Sequence, residues 1–307
     1  MHDNSIKKAI ILGGSGFIGK TVLERLKQEN IEILAVSHKS TIANDEKIRV
    51  VDGGISSLTT ITIDHFEPDV IFHCARPTFP YFKKRGRQLA AMQASLLNRK
   101  LVRQISRSKF KPRLIFLSGS LMYGNAQKPH GEDSPLHPVS YARQYARGER
   151  PILKAAKQRD MTVRVIRLPW ILGLGSWFQW FYLNTIQKHQ AVPFFGDQSN
   201  MMEIVDIDDV ASFILQVAGN NISSGVINLP AKKAITQKEF VSLVSGIWNV
   251  PSADFRKLYG DKLEKETIEA FQSNILLKTR HTDLTDALDY TPLEESLRKI
   301  KKSGFGN

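Results

Sequence analysis

One cysteine, Cys74, stands among 307 residues. A lone thiol closes no internal disulfide and, without several histidines beside it, builds no structural zinc site, so a reducing, cytoplasmic setting and no metal are expected. Long apolar runs are also missing. Stretches such as Ala9 to Leu12 and Val70 to Phe72 fall far short of the roughly 20 helical residues that cross a bilayer, so a soluble chain without membrane partners is expected. The opening MHDNSIKKAIILGG has only a four-residue apolar run, too short for the core of about 7 to 15 residues in a secretory signal. Acid is scarce relative to base: 43 Lys and Arg face 30 Asp and Glu, a formal net charge of +13. Such a surplus suits phosphate backbones. Its placement does not, because the cations are spread over KKRGR (83–87), the stretch from Arg99 to Arg113, and RKIKK (298–302), with no aromatic-studded single-strand platform and no helix-turn-helix pattern. Solvated helix faces are the expectation, and nucleic acid is not an expected partner.

What the chain does have is alternation. Short β-rich apolar runs at Lys8 to Leu12, Ile31 to Ser37, Ile48 to Val51, Val70 to His73, Leu114 to Ser118 and Val163 to Leu168 alternate with longer helical patterns. This rhythm predicts an α/β fold, a Rossmann-type doubly wound parallel sheet with helices on both faces. Beyond about Gly173 the pattern turns irregular, with an aromatic stretch, a strand near Gly225 to Leu229, a helix at Gln237 to Ile247 and a charged helical tail. The expected division is a dinucleotide-binding domain over 1–172 plus about 204–230. A smaller substrate-binding region takes 173–203 and 231–307.

The most specific local signal is GGSGFIG, residues 13–19, between the first strand and the first helix. Gly13, Gly16 and Gly19 at this spacing give a tight turn, close approach of backbone to a pyrophosphate and close helix–strand contact. Phe17 and Ile18 open a helix whose N-terminal N–H groups can face the anion. An Asp or Glu about 20 residues on would select NAD through the ribose hydroxyls. The sequence there reads VSHKS, and His38, Lys39 and Ser40 suit a 2′-phosphate. NADP is therefore the expected cofactor, against the plain reading of Lys39 as a loop lysine. Asp52 in VVDGG is placed to meet the adenine or simply to form a turn.

Several further motifs, in order, resemble those of the extended short-chain dehydrogenase/reductases, the family of sugar-nucleotide epimerases, dehydratases and many ketoreductases. GGSGFIG resembles that family's TGxxGxxG. DVIFHCAR (69–76) resembles its strand-four Asp-hydrophobic-His-x-Ala-Ala, LSGSLMYG (117–124) its Ser-Ser-x-x-Val-Tyr-Gly, and EDSPLHPVSYARQYARGE (132–149) its Glu-x-x-Pro followed by Tyr-x-x-x-Lys-x-x-x-Glu. PFFGDQSNMMEIVDIDDVA (193–211) resembles its Gly-Asp-Gly stretch ending in Val-x-Asp-hydrophobic-Ala. The likeness runs from about residue 8 to about 230. It implies cofactor contacts at Cys74, Ala75, Arg76, Tyr141 and Pro169, and a homodimer formed through paired helices.

The resemblance implies a proton-donating tyrosine beside the nicotinamide, and Tyr141 occupies that place. Its lysine partner does not appear: position 145 holds Tyr145, one turn later on the same helical face. Arg143 and Arg147 lie on other faces. The family's catalytic Ser or Thr aligns with Gly119, flanked by Ser118 and Ser120, either of which could polarise a carbonyl or cap a loop. The family's helix asparagine is missing near Met92. Where sugar-nucleotide enzymes of this kind carry a diphosphate-binding arginine, this chain has Met201 and Met202, and a thioether cannot pair with phosphate. Pro77, Phe79, Tyr123, Trp170, Trp177, Trp180 and Met202 are the expected substrate wall. The expectation is an NADP-dependent oxidoreductase that reduces a carbonyl or imine of an apolar or aromatic small molecule, not a sugar nucleotide, with Tyr141 as acid. The alternative is a relative that keeps the cofactor site but has lost redox catalysis, and that binds, senses, associates with RNA or runs a non-redox reaction.

Overall fold

The computed structural model describes residues 5–37, 42, 46–77, 83–260 and 263–304. Its first strand, β1 (Lys8–Leu12), is KAIIL, buried on both faces from Ala9 onward, the near-continuous apolar run that a parallel sheet covered by helices requires. Helix α1 (Phe17–Gln28) follows and turns Val22, Leu23 and Leu26 inward. Then come β2 (Glu32–Ser37), β3 (Ile48–Asp52), α2 (Thr60–Phe66), β4 (Val70–His73), the long α3 (Lys83–Arg107) and β5 (Arg113–Gly119). Helix α2 begins where the Thr59 hydroxyl accepts from the Thr62 N–H, a side-chain cap that satisfies one orphan donor. Helix α4 (Ser140–Ala155) and β6 (Val163–Leu168) continue the alternation.

The irregular half follows, with β7 (Trp170–Leu172), a π-helical turn at Phe178–Leu183, α5 (Asn184–His189), β8 (Val192–Phe194), β9 (Met201–Met202), β10 (Ile204–Asp206), α6 (Ile207–Gly219), β11 (Gly225–Asn228) and β12 (Ile235–Thr236). The chain ends with α7 (Gln237–Trp248), β13 (Ser252–Asp254), α8 (Phe255–Tyr259), α9 (Lys265–Gln272), α10 (Thr282–Asp286) and α11 (Leu293–Lys302). Helix α7 starts in a reciprocal box: the Thr236 hydroxyl accepts from the Glu239 N–H, and the Glu239 carboxylate accepts from the Thr236 N–H.

A seven-stranded sheet has the order β11-β6-β5-β4-β1-β2-β3, and its β1–β2, β2–β3, β1–β4 and β4–β5 pairs run parallel. The order reverses between β1 and β4. Beyond the carboxyl ends of such strands open α/β sheets bind their ligands. The predicted Rossmann-type fold is the observed one. Among the described residues no helix is long and apolar enough to cross a membrane, and no group of His, Cys, Asp and Glu could hold a metal ion.

The chain divides into two units. The first holds residues 1–118, 144–167 and 211–227; the second holds 119–143, 168–210 and 228–307. The division expected from sequence differs at 119–143, 168–172, 204–210 and about 228–230, which it groups with the first. Their backbone partners explain the difference: the Ala126 and His130 N–H groups donate to Asn274 and Leu276 carbonyls, and β7 pairs with β10. In the first unit an aliphatic core gathers Ile10, Leu34, Ile71, Leu114 and Val163. In the second, Phe178, Tyr182, Phe195, Phe240, Trp248 and Phe271 make an aromatic one.

Candidate functional site

In the first unit the glycine turn leaves β1 and enters α1. Gly13 has φ +81°, and a Cβ there would lie 2.7 Å from the Ala75 backbone, so a side chain would meet both strain and collision. A Cβ on Gly19 would lie 2.1 Å from the Gly13 carbonyl oxygen. The N-cap, Gly16, offers no side-chain acceptor, and the first turn, with half-buried Phe17 and Ile18, carries no acid. This helix end therefore keeps its N–H groups and positive dipole end for an outside anion. The cradle fits the diphosphate of a dinucleotide.

Beside it, the Ser15 and Ser37 hydroxyls lie 3.2 Å apart. His38, Lys39, Ser40 and Phe79 lie outside the described residues. Asp52 ends β3, exposed. After β4 come half-buried Cys74, Ala75 and Pro77 with exposed Arg76 between them; desolvation pushes the Cys74 thiol up to about 12, so it stays protonated. The Arg76 guanidinium stands over the Tyr145 ring, 4.6 Å from its centroid. Burial drives His73 down to about 4, a Nε2 bond to Asn98 Oδ1 (2.8 Å) offsetting part of that. Because the Asn98 amide group donates to the Gly148 carbonyl (2.9 Å), its oxygen accepts and His73 donates as a neutral ring.

Ser118 does not stand free at the end of β5. Its hydroxyl donates to Glu149 (2.5 Å) and accepts from Arg167, which also donates to Glu149 at 2.7 Å and closes a 2.5 Å ion pair with it. Arg167 and Glu149 are almost wholly buried. A second arginine of β6, Arg164, donates to the Ile222 and Val217 carbonyls, and burial brings it down to about 10. Asn98, Arg167 and the Arg76–Tyr145 contact were absent from the sequence-derived site. Two arginines within the strand VRVIRL were the legible sign that this strand buries charge.

In the second unit, Ser120 opens a short 3-10 turn and is buried, and Tyr141 is half-buried in the first turn of α4. Tyr123 is 1% exposed; its hydroxyl donates to Asn228 Oδ1 (2.8 Å) and its ring stacks on His130. Pro169 is buried. Trp170 packs at 5.1 Å on Trp177 and stacks at 5.2 Å on Phe271, and Trp177 contacts Phe178, Tyr182 and Phe240. Met202, 1% exposed, joins the same core. These rings pack on one another, and among the described residues of the expected substrate wall only Trp180 projects outward, 64% exposed. Burial pushes Glu203, which accepts from the Leu277 N–H (2.9 Å), up to about 8.

Comparison with known proteins agrees with the fold. The chain is 22% identical over 262 residues to methionine adenosyltransferase 2 subunit beta of Xenopus laevis, covering 82% of this chain and 75% of that one. It is 25% identical over 270 residues to UDP-glucuronic acid decarboxylase 1 of Danio rerio, covering 80% and 62%. Among solved structures, UDP-glucose 4-epimerase from Thermotoga maritima with UDP-glucose superposes with TM-score 0.77 at 19% identity, over 96% of this chain and 97% of that one. The model of the NAD dependent epimerase/dehydratase family matches residues 9–229, and the chain, by that match and by the turn, sheet and strand order described above, belongs to that family.

Proposed function

We propose that the protein is an NADP-dependent reductase of a carbonyl or imine on a small apolar molecule, with Tyr141 as proton donor. The observation that carries this reading is the glycine turn of 13–19 at the uncapped end of α1, whose backbone packing leaves no room for a Cβ at Gly13 or Gly19. Gly13, Gly16, Gly19 and the α1 N–H groups would hold the diphosphate, and His38, Lys39 and Ser40 the 2′-phosphate. When bound, the cofactor supplies the hydride. Tyr141 would supply the proton to the reduced carbonyl or imine. Because Ser118 is engaged by Glu149 and Arg167, the polarising role in this reading falls to Ser120. Met201 and Met202 support a substrate without a diphosphate, and exposed Leu89, Met92 and Leu96 on α3 support pairing with a second copy.

A second reading, a cofactor-binding protein without turnover, draws support from Gly119 and Tyr145 standing where the resemblance implies the Ser or Thr and the lysine. Fluorescence titration checks both. NADPH should bind at least tenfold tighter than NADH, about 1.4 kcal/mol, with Lys39→Ala erasing most of the gap, and equal affinities overturn the NADP assignment. A panel of apolar ketones and imines should be reduced, with Tyr141→Phe costing about 10²-fold. Binding with no turnover on any of them favours the second reading.

A further inference from the structure

Arg76 sits beside the glycine cradle, directly after Ala75, the residue a Cβ on Gly13 would strike. Its side chain is exposed, and what meets it among the described residues is an aromatic ring rather than a carboxylate. A guanidinium laid on a ring gives up one face and keeps its planar fork of N–H donors for an acceptor in the guanidinium plane. An exposed cation that meets no carboxylate among the described residues, held by a tyrosine at the carboxyl end of the strand next to β1, is suited to bind an anion.

We propose that Arg76 and Tyr145 form a clamp for the dinucleotide: Tyr145 fixes the guanidinium by its face, and the free edge donates to phosphate or ribose oxygens of the cofactor seated on the glycine turn. The clamp rests on the dinucleotide reading and adds to it a full positive charge on the β4 side, opposite the partial charge of the α1 terminus. It also gives Tyr145 a purpose. The cation that the family pattern leads one to expect on helix α4 is carried by the loop after β4, and the helix supplies the ring that holds it.

NADPH titration of the full chain, read by its fluorescence, tests this. Arg76→Ala should weaken binding about tenfold or more, and Tyr145→Ala should shift it the same way. Arg76→Lys keeps the charge but loses the fork, so it should recover affinity only in part. The decisive variant is the exchange: Arg76→Ala combined with Tyr145→Lys moves the cation back to the helix and should regain most of the loss. A structural role would give no such regain. Parallel titration with ADP locates the contact: equal losses for ADP and NADPH assign it to the diphosphate, and a loss confined to NADPH assigns it to the nicotinamide ribose. If the wild-type chain binds no dinucleotide, the functional reading itself fails. If it binds and Arg76→Ala binds equally well, or the exchange restores nothing, the clamp alone is overturned.

Discussion

The two units solve the burial problem with different side chains. In the first, strands and helices of regular period interleave branched aliphatics, and the polar groups that remain inside are pinned by named partners: Glu149 with Arg167 and Ser118, His73 with Asn98. In the second, elements are short and irregular, and large rings fill the gaps, with Phe195 stacked on Phe271 at 4.2 Å and Phe178 on Tyr182 at 5.5 Å. Rings span the distance between misaligned elements that methyl groups would leave empty. The regular unit thus buries its charge as a matched Arg167–Glu149 pair, whereas the irregular one surrounds single carboxylates such as Glu203 with large apolar area.

The largest expected effects set these solutions against each other. Glu149→Ala leaves Arg167 buried without its counter-charge and should cost about 3–5 kcal/mol, and Phe178→Ala should cost a similar 3–5 kcal/mol through lost burial and a cavity, both read by urea unfolding. The comparison sharpens in the rescue. Glu149→Leu with Arg167→Met should return the first unit close to its starting stability, since an apolar pair of similar volume often equals a buried ion pair. A single-residue Glu149→Ala loss below 1 kcal/mol would break it.

An intermediate effect comes from pH, with opposite sign in the two units. His73 titrates near 4 when folded against 6.5 unfolded, so the unfolded chain takes up the proton first and stability falls as pH drops below about 6.5. Glu203 titrates near 8 when folded against 4.5 unfolded, so the folded chain holds the proton and stability falls as pH rises from about 4.5 to 8. Hydrogen exchange corrected for intrinsic rates should show β4 losing protection toward pH 5 and the β9–β10 segment losing it toward pH 8. Glu203→Gln should flatten the second trend, and an unchanged slope would remove Glu203 as its cause. The smallest effect is Trp180→Ala. Projecting from the cluster, it should change stability by no more than about 0.5 kcal/mol, and any larger loss would make it part of the aromatic core.

The strands of the first unit were legible because buried parallel strands are runs of apolar residues between punctuating glycines and polar turns. Lys8–Leu12, Val70–His73 and Val163–Leu168 fall where that reading put them. The glycine turn was legible for a stronger reason: its spacing encodes backbone collisions, which the contacts at Gly13 and Gly19 make explicit. The aromatic run 175–183 shows the limit. Rings at helical spacing signal burial without saying whether a ligand or Phe240 and Phe271 will cover them. Ser118 was equally opaque, because its engagement depends on Arg167, far away in sequence and adjacent only once β5 and β6 pair.

The sheet order has a consequence for biosynthesis. The first unit is assembled from three stretches of chain, and its strands β6 and β11, on the far side of β5, leave the ribosome long after β1 to β4. At roughly 5–20 residues per second, a nascent chain holds Asn98 for seconds before Gly148 arrives to accept its amide, and the edge of β5 stays open until β6 is made. The half-made sheet therefore exposes an unpaired strand and an uncovered aliphatic face while the second unit is still being translated around it. Chaperone demand should concentrate in that interval, and synonymous codons that slow translation between residues 119 and 163 should lower the yield of folded protein more than the same slowing after residue 230.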